Sequence, residues 1–480
     1  MNKDELKSKT ISSLIWKFGE RIGNQIMGII ISIVLARLLM PEDYGAVALI
    51  LVFVSVCDVF LINGLASPLI QKKKADSKDY STILYTSIVL GTVLYVILYV
   101  LSPFIAEFYD TQILCPALRV LGLRVVVSSF ASVQNAFIAS TLQFKKNFIG
   151  SLFGTLSSGI VGIFLAYSGY GIWALVVQQI LNPFICMLIT FFLIDWKPTL
   201  EFSFGRLRSM WKFGSNILVA ALINEFYQDF RTILIGKIYT KQDLSFFNQG
   251  NTYPRLIVDN VNSSIVSVLF PSIAKVQDDR ETVKRFVRRS IKTSSFLLLP
   301  LLFGLAVVAE PLISLLLTDK WLPCVPYLQT FSIALCLIPI SSASQQAIKA
   351  LGYSSITMRQ ELIKKSTGAI IIGVTAFISV DAIVIGAAIS ELWFFIVNTY
   401  PNKRVYNYNY IEQLKDLLPN FLCTFVMVLV IIPIRFMTSS DLCCLLLQVF
   451  VGAISYFIVC RLSKNESYVY ILNQIKRKYY

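Results

Sequence analysis

The feature that most limits what this chain can become is a run of apolar stretches, each about 20 to 25 residues long, separated by short polar connections. At about 1.5 Å of rise per residue, 20 apolar residues in a helix cross the roughly 30 Å hydrocarbon core of a bilayer. About fourteen stretches can be counted, at residues 10–39, 44–66, 82–106, 117–141, 148–168, 171–194, 211–236, 245–272, 294–317, 327–348, 361–380, 382–400, 417–437 and 442–461. The fold class expected is therefore an all-α integral membrane bundle.

Charge falls in every second connection. The segments taken as inner hold Lys3, Lys7 and Lys9; Lys72, Lys73, Lys74 and Lys78; Lys145 and Lys146; Lys197, Arg206, Arg208 and Lys212. Further along they hold Lys275, Arg280, Lys284, Arg285, Arg288, Arg289 and Lys292; Lys349, Arg359, Lys364 and Lys365; Lys403, Arg404 and Lys415; Arg461, Lys464, Lys476, Arg477 and Lys478. The outer connections hold only Lys237, Lys241, Lys320 and Arg435. Basic residues mark the cytoplasmic side, so both termini are expected there, as an even number of spans requires.

Hydrophobic residues make up 56% of the chain, charged ones 15%, and the mean hydropathy is +0.68, values that exclude a soluble globular protein of 480 residues. The net charge of +15 is spread over eight short inner segments without an aromatic-interleaved patch, which argues against nucleic acid and for anionic lipid headgroups. No cleavable leader is expected, because the lead Met1 to Thr10 runs into a first span that holds Glu20, Arg21 and Asn24. The nine cysteines are odd in number, lack CxxC spacing and read as small core residues, not as a disulfide framework or a metal site.

An internal repeat divides the chain. Trp16-Lys17-Phe18-Gly19 returns as Trp211-Lys212-Phe213-Gly214, and Pro41-Glu42-Asp43-Tyr44 aligns, five residues out of phase, with Lys241-Gln242-Asp243-Leu244. Gln134-Asn135-Ala136 matches Gln345-Gln346-Ala347, and Gly171-Ile172 falls on Ala382-Ile383. Matches in this order point to two six-helix lobes, 1–200 and 201–400, followed by a helix pair and tail over 401–480. An even number of spans per repeat makes the lobes parallel, related by an axis along the membrane normal, with a cleft between them that can close on either side.

Polar residues inside the spans indicate what such a cleft would hold. In the eighth span Asn248, Asn251, Arg255, Asp259 and Asn262 share one helix face. In the seventh, Asn224, Tyr227 and Arg231 do so, near Glu225, Gln228 and Asp229, and in the fourth Arg124, Ser128, Ser132 and Asn135. Each charge at the membrane centre costs roughly 2.5 to 3.5 kcal/mol, so these residues face water or one another. Two readings stand side by side: Arg255 and Asp259 as a self-neutralising i, i+4 pair, or several stripes lining a hydrophilic cavity. Pro254 removes the hydrogen bond to the Gly250 carbonyl, either as an ordinary kink or as a cavity wall. The surplus of Arg21, Arg119, Arg124, Arg231 and Arg255 over nearby carboxylates, at least in the first and fourth spans, suggests an anionic substrate, with Arg119 also placed to snorkel outward. Glu225 and Asp229, one turn apart, can share a proton or neutralise Arg231 and Arg255; Asp58, alone in the second span, is a weaker candidate for the same role.

At the level of motifs, Ala36-Arg37-Leu38-Leu39-Met40-Pro41-Glu42-Asp43-Tyr44-Gly45 and Gly169-Tyr170-Gly171-Ile172-Trp173-Ala174-Leu175 stand in the first half. Leu269-Phe270-Pro271-Ser272 before Gln277-Asp278-Asp279, and Glu310-Pro311-Leu312 before Lys320-Trp321, stand in the second. With these the chain resembles the Wzx-type polysaccharide transporter family of the multidrug/oligosaccharidyl-lipid/polysaccharide flippase superfamily, over about residues 10–400. The resemblance implies a non-enzymatic flippase in polysaccharide or lipopolysaccharide biosynthesis, which moves undecaprenyl-pyrophosphate-linked oligosaccharide across a bacterial inner membrane by ion-coupled alternating access. Its implied partners are that lipid-linked oligosaccharide, membrane lipid, proton or sodium, and polysaccharide polymerase or assembly proteins; no cofactor and no metal are implied.

The motifs are structural, so the site is read from helix faces. The expected substrate cavity comprises Arg21, Asn24, Arg124, Arg231, Asn248, Asn251, Arg255 and Asn262, with Asp58, Glu225, Asp229 and Asp259 for ion coupling or charge pairing. A cation-coupled drug exporter of the same superfamily would carry more carboxylates than arginines in its cavity. A membrane-embedded enzyme of polysaccharide assembly would need a substantial outer domain, whereas the longest polar connections, near 195–212, 273–293 and 401–416, are all inner; the absence of histidine removes further catalytic options. The last two helices are left to extend a lipid-facing groove or to meet a partner.

Overall fold

A computed structural model describes the backbone of residues 3–72, 75–438 and 440–479, with the side chains of 3–15, 18 and 475–479 left aside. Lys73 and Lys74, counted above among the inner lysines, lie outside the described residues, as do the side chains of Lys3, Lys7, Lys9, Lys476, Arg477 and Lys478. Every described element is helical. The first eight are α1 (Lys3–Leu38), α2 (Pro41–Gln71), α3 (Ser77–Phe108), α4 (Leu114–Thr141), α5 (Phe144–Tyr167), α6 (Ile172–Leu193), α7 (Phe204–Ile238) and α8 (Lys241–Ala274). They are followed by α9 (Arg280–Val307), α10 (Asp319–Ala350), α11 (Ser354–Ala376), α12 (Val380–Tyr406), α13 (Tyr410–Met437), α14 (Asp441–Leu462) and α15 (Glu466–Tyr479).

Each expected stretch falls on a helix. Twelve helices among the described residues are long and apolar enough to cross a membrane, and the chain is a multi-pass membrane protein. The helices α7 and α11, at 35 and 23 residues, are long enough but too polar to qualify, so a count of fourteen rests on these two as a proposal. The ninth helix starts earlier than expected, at Arg280 instead of 294, because Asp279 caps it by accepting from the Thr282 amide at 3.1 Å. It also ends sooner, and a separate helix, Ala309–Leu317, completes the stretch.

The sequence repeat at 41–44 and 241–244 is a capping device. The Met40 amide donates to Asp43 Oδ2 at 3.2 Å, and the Thr240 amide to Asp243 Oδ2 at 3.1 Å, so each aspartate satisfies a donor that the start of its helix leaves open. Asp43 does more: it accepts from the Ile172 amide at the start of α6, where a carboxylate favours the positive end of a helix. Gly169 (φ 81°) and Gly171 (φ 53°) turn the chain into α6 through left-handed conformations that a side chain would strain. Two of the motifs that carry the family resemblance are thus halves of one staple.

By proximity the chain forms two compact units, Met1–Ser245 and Phe246–Tyr480. The helix α7, which opens the second repeat in sequence, packs along α2 within the first unit. Contact and repeat therefore divide the chain at different places, and the 1–200, 201–400 and 401–480 division is a proposal about duplication.

Within the first unit, helices meet through glycines. A Cβ on Gly154 would stand 2.8 Å from the Asn182 carbonyl oxygen, and one on Gly150 2.6 Å from Thr190 Oγ1, so α5 lies directly on α6. A Cβ on Gly214 of α7 would stand 2.0 Å from the carbonyl oxygen of Gly64, which lies in a π-helical stretch of α2, Phe60–Ala66. Outward, α3 shows Val89, Val93, Val96, Val100 and Phe104, all exposed at helical spacing, a face suited to hydrocarbon.

In the second unit Gly250 serves packing rather than the Pro254 bend, since a Cβ there would stand 2.7 Å from Tyr327 Cβ of α10. The fully buried Trp321 stacks edge-on with Phe246 at 6.1 Å. At the basic end of α9, buried Asp416 of α13 accepts from Arg288 Nε at 2.6 Å, Arg288 Nη2 at 2.7 Å and the Tyr408 hydroxyl at 2.8 Å, with Lys292 at 3.2 Å. Lys292 also reaches Glu466 of α15 at 2.6 Å. The last helices are thereby tied to α9 by a satisfied charge cluster.

The glycine contacts generate a paired test. Gly19→Ala, with open space around its Cβ, should leave thermal stability unchanged or slightly raised, whereas Gly214→Ala should destabilise by about 1 to 3 kcal/mol. Equal melting temperatures for the two variants would contradict the α2–α7 backbone contact.

Candidate functional site

In the first unit four expected residues gather where α2, α4 and α7 face one another. Asp58 Oδ2 lies 3.8 Å from Arg124 Nη2, and both side chains are largely buried. Arg124 Nη1 also donates to Gln179 Oε1 on α6 at 3.0 Å. Glu225 stands within electrostatic reach of Asp58 and of Asp229. Asp229 accepts from Ser55 Oγ on α2 at 2.8 Å, and the same hydroxyl lies 2.8 Å from the Val52 carbonyl oxygen.

The arginine surplus read from the fourth span is thus offset in space, because Asp58 is one helix away. Neither Glu225 nor Asp229 neutralises Arg231. That guanidinium is half-buried, about 10 Å from the C-terminal end of α7, and makes no ion pair or hydrogen bond among the described residues. Arg21 is exposed on α1. Asn24, half-buried further along the same helix, keeps a buried Oδ1 without a hydrogen-bond partner, as do Asp58 at Oδ1 and Arg124 at Nε. Arg119 donates from Nε to Ser102 Oγ at 2.9 Å and stacks on Tyr99 at 4.3 Å.

In the second unit the stripe on α8 is in place, on a continuous helix with Pro254 inside it. Arg255 Nε and Asp259 Oδ2 are 4.0 Å apart and about half exposed, so the pair holds itself weakly. Asn248, Asn251 and Asn262 are half-buried, and the Oδ1 atoms of Asn251 and Asn262 are buried without a partner.

Sequence reasoning missed Gln179, Ser55 and the contact of Asn147 Nδ2 with Glu20 Oε1 at 2.7 Å. Gln178-Gln179 in an apolar span was a legible signal; a serine such as Ser55 offers none. The second unit also holds an apolar groove of about 560 Å³ between α9, α13 and α14, lined by Leu297, Leu301, Met427, Leu446, Val449 and Phe457 among others.

The profile of the family described as "Polysaccharide biosynthesis protein" matches residues 34–326. The chain is 22% identical to the succinoglycan biosynthesis transport protein ExoT of Rhizobium meliloti (strain 1021) over 396 residues, 82% of this chain and 78% of that one. It is 24% identical to the lipopolysaccharide biosynthesis protein WzxC of Escherichia coli (strain K12) over 387 residues, 79% of this chain and 76% of that one. Among solved structures it superposes on the lipid II flippase MurJ in an inward closed conformation with a TM-score of 0.77 at 15% identity, covering 94% of this chain and 98% of that one. That likeness establishes the fold.

The Asp58–Arg124 pair can be tested by a double-mutant cycle. Asp58→Asn and Arg124→Gln should each lower the melting temperature, and the double variant should recover part of the loss, with a coupling of about 0.5 to 3 kcal/mol. Strictly additive losses would show that the two side chains do not interact.

Proposed function

The chain belongs to the polysaccharide biosynthesis protein family, and from that membership we propose that it is a flippase for a lipid-linked oligosaccharide, not an enzyme. The observation that carries the site assignment is Arg231: a half-buried guanidinium, without an ion pair or hydrogen bond among the described residues, on a membrane-length helix. Holding such a charge partly away from water carries a cost that an anionic substrate offsets when it binds. The pyrophosphate of an undecaprenyl carrier matches it, since guanidinium forks onto phosphate oxygens.

In this reading Arg231 of the first unit is the principal pyrophosphate ligand, with Arg21 a further candidate, and Arg255 of the second unit is taken as a ligand in its own right. Arg124 becomes available only by loosening its hold on Asp58. The carboxamides of Asn24, Asn248, Asn251 and Asn262 accept and donate hydrogen bonds to glycan hydroxyls, and the buried Oδ1 atoms of Asn24, Asn251 and Asn262 have that capacity to spare. The apolar groove of α9, α13 and α14 suits the polyprenyl tail. Alternating access of two parallel lobes carries the headgroup across, coupled to proton or sodium at Asp58, Glu225, Asp229 or Asp259. The protein sits in a bacterial inner membrane with both termini in the cytoplasm, beside the polymerase and assembly proteins that use its product.

The names of the relatives support this reading, since one is a succinoglycan transport protein and another a lipopolysaccharide biosynthesis protein. The test is flipping in proteoliposomes, followed as the accessibility of a labelled undecaprenyl-pyrophosphate glycan to an impermeant enzyme. Arg231→Ala and Arg255→Ala should each slow transport by about 10- to 100-fold, the worth of a charged hydrogen bond of roughly 1.5 to 3 kcal/mol. Unchanged transport in both variants would remove the site assignment and keep the flippase. Proton-linked export of a cationic dye, with several such glycans left unmoved, would transfer the protein to the drug-exporter reading.

A further inference from the structure

A second apolar groove, in the first unit, is built into the wall of α3 and α7 and has no place in the scheme above. It measures about 980 Å³ and is lined by Leu65, Val89, Val93, Phe202, Leu207 and Trp211, among others, with Arg208 at its mouth. Its floor follows α3 from Tyr85 to Val93, about 12 Å along the helix. The wall is preformed, because the connection into α7 is stitched to α3. Tyr85 donates to the Thr199 carbonyl oxygen at 2.9 Å, the Thr199 amide to Ser81 Oγ at 2.9 Å, and the Ser203 amide to Thr82 Oγ1 at 3.2 Å.

Among the described residues the charges at this corner are accounted for one by one. Lys72 pairs with Asp79 at 2.5 Å and Lys78 with Glu201 at 3.5 Å. Arg206 bridges Asp79 at 2.9 Å and Asp76, and it holds the Asp76 carboxyl well below the usual carboxylate range. Arg208 is left: its side chain is exposed and makes no ion pair or hydrogen bond among the described residues, and neither does that of Lys212, one turn further on. A spare cation at the rim of an apolar groove, on the side of the basic connections, is complementary to a lipid that carries a phosphate above an acyl chain.

We propose that this groove holds an acyl chain of an anionic phospholipid from the inner leaflet, with its phosphate on Arg208 and Lys212. A glycan-bearing carrier is the poorer fit, because the lining offers little beyond Thr86 and the already engaged Tyr85 hydroxyl to receive sugar groups. A bound lipid would fill the seam between α3 and α7 and so steady α7, the helix that bears Arg231, Glu225 and Asp229.

Native mass spectrometry of the full-length protein in detergent, titrated with phosphatidylglycerol or phosphatidylcholine, tests the proposal. The wild type should retain phosphatidylglycerol in preference. Arg208→Gln should bind it about fivefold more weakly, the worth of one basic residue near an anionic headgroup, and Val89→Trp, which fills the groove, should lower the occupancy of both lipids. Lys415→Gln, an exposed basic residue of the second unit, should change nothing. Wild-type binding by both Arg208→Gln and Val89→Trp would overturn the site. Equal retention of the two lipids would overturn the headgroup role of Arg208. Displacement of phosphatidylglycerol by equimolar undecaprenyl pyrophosphate would make the groove a substrate site and overturn the phospholipid assignment.

Discussion

In hydrocarbon a polar group has no water to fall back on, and the rest of this structure depends on that constraint. Backbone groups answer it by forming helices throughout. Side chains answer it in two ways. Some, just outside the apolar stretches, are fully engaged: Asp416 is held by Arg288, Lys292 and Tyr408, and this fastens α13 and α15 to α9. Others are left wanting, among them Arg231 and the carbonyl oxygens of Asn24, Asn251 and Asn262. The first group is architecture, and the second is what the proposed site draws on, since an unsatisfied buried polar atom costs about 1 to 3 kcal/mol that only a ligand or water can return.

Close helix contact supplies the other half of the architecture. Lipid tails are as apolar as leucine, so helices gain little by burying large side chains against each other and more by bringing backbones together over small ones. The repeated sequence motifs show how selectively this is used. The aspartate caps at Asp43 and Asp243 do the same work in both copies. The glycines of the WKFG repeat do not: Gly214 meets the Gly64 carbonyl, while Gly19 faces open space. A repeated motif can therefore share local capping chemistry while differing in its packing role.

Much of the candidate site was legible in the sequence. The stripe on α8 follows from a spacing of three and four residues, and periodicity settles which residues share a face of one helix. What periodicity cannot supply is the neighbour across a gap. Asp58 looked solitary because its partner Arg124 is 66 positions away in the chain and one helix away in space. Ser55, with no charge and a composition that fits any span, gave no signal that it would meet Asp229. Arg119, counted among the arginines but off their shared face, is held by Tyr99 and Ser102, neither of which its own helix could announce.

Length and apolar run, both properties of the one-dimensional chain, determined that this is an all-α membrane protein, because insertion energy is additive along a helix and blind to its neighbours. Which polar residues are spent and which are spare was decided by tertiary structure alone. Pairing depends on distances of a few ångströms between helices that are remote in sequence, and a hydrogen bond of about 2.8 Å is lost within roughly another ångström.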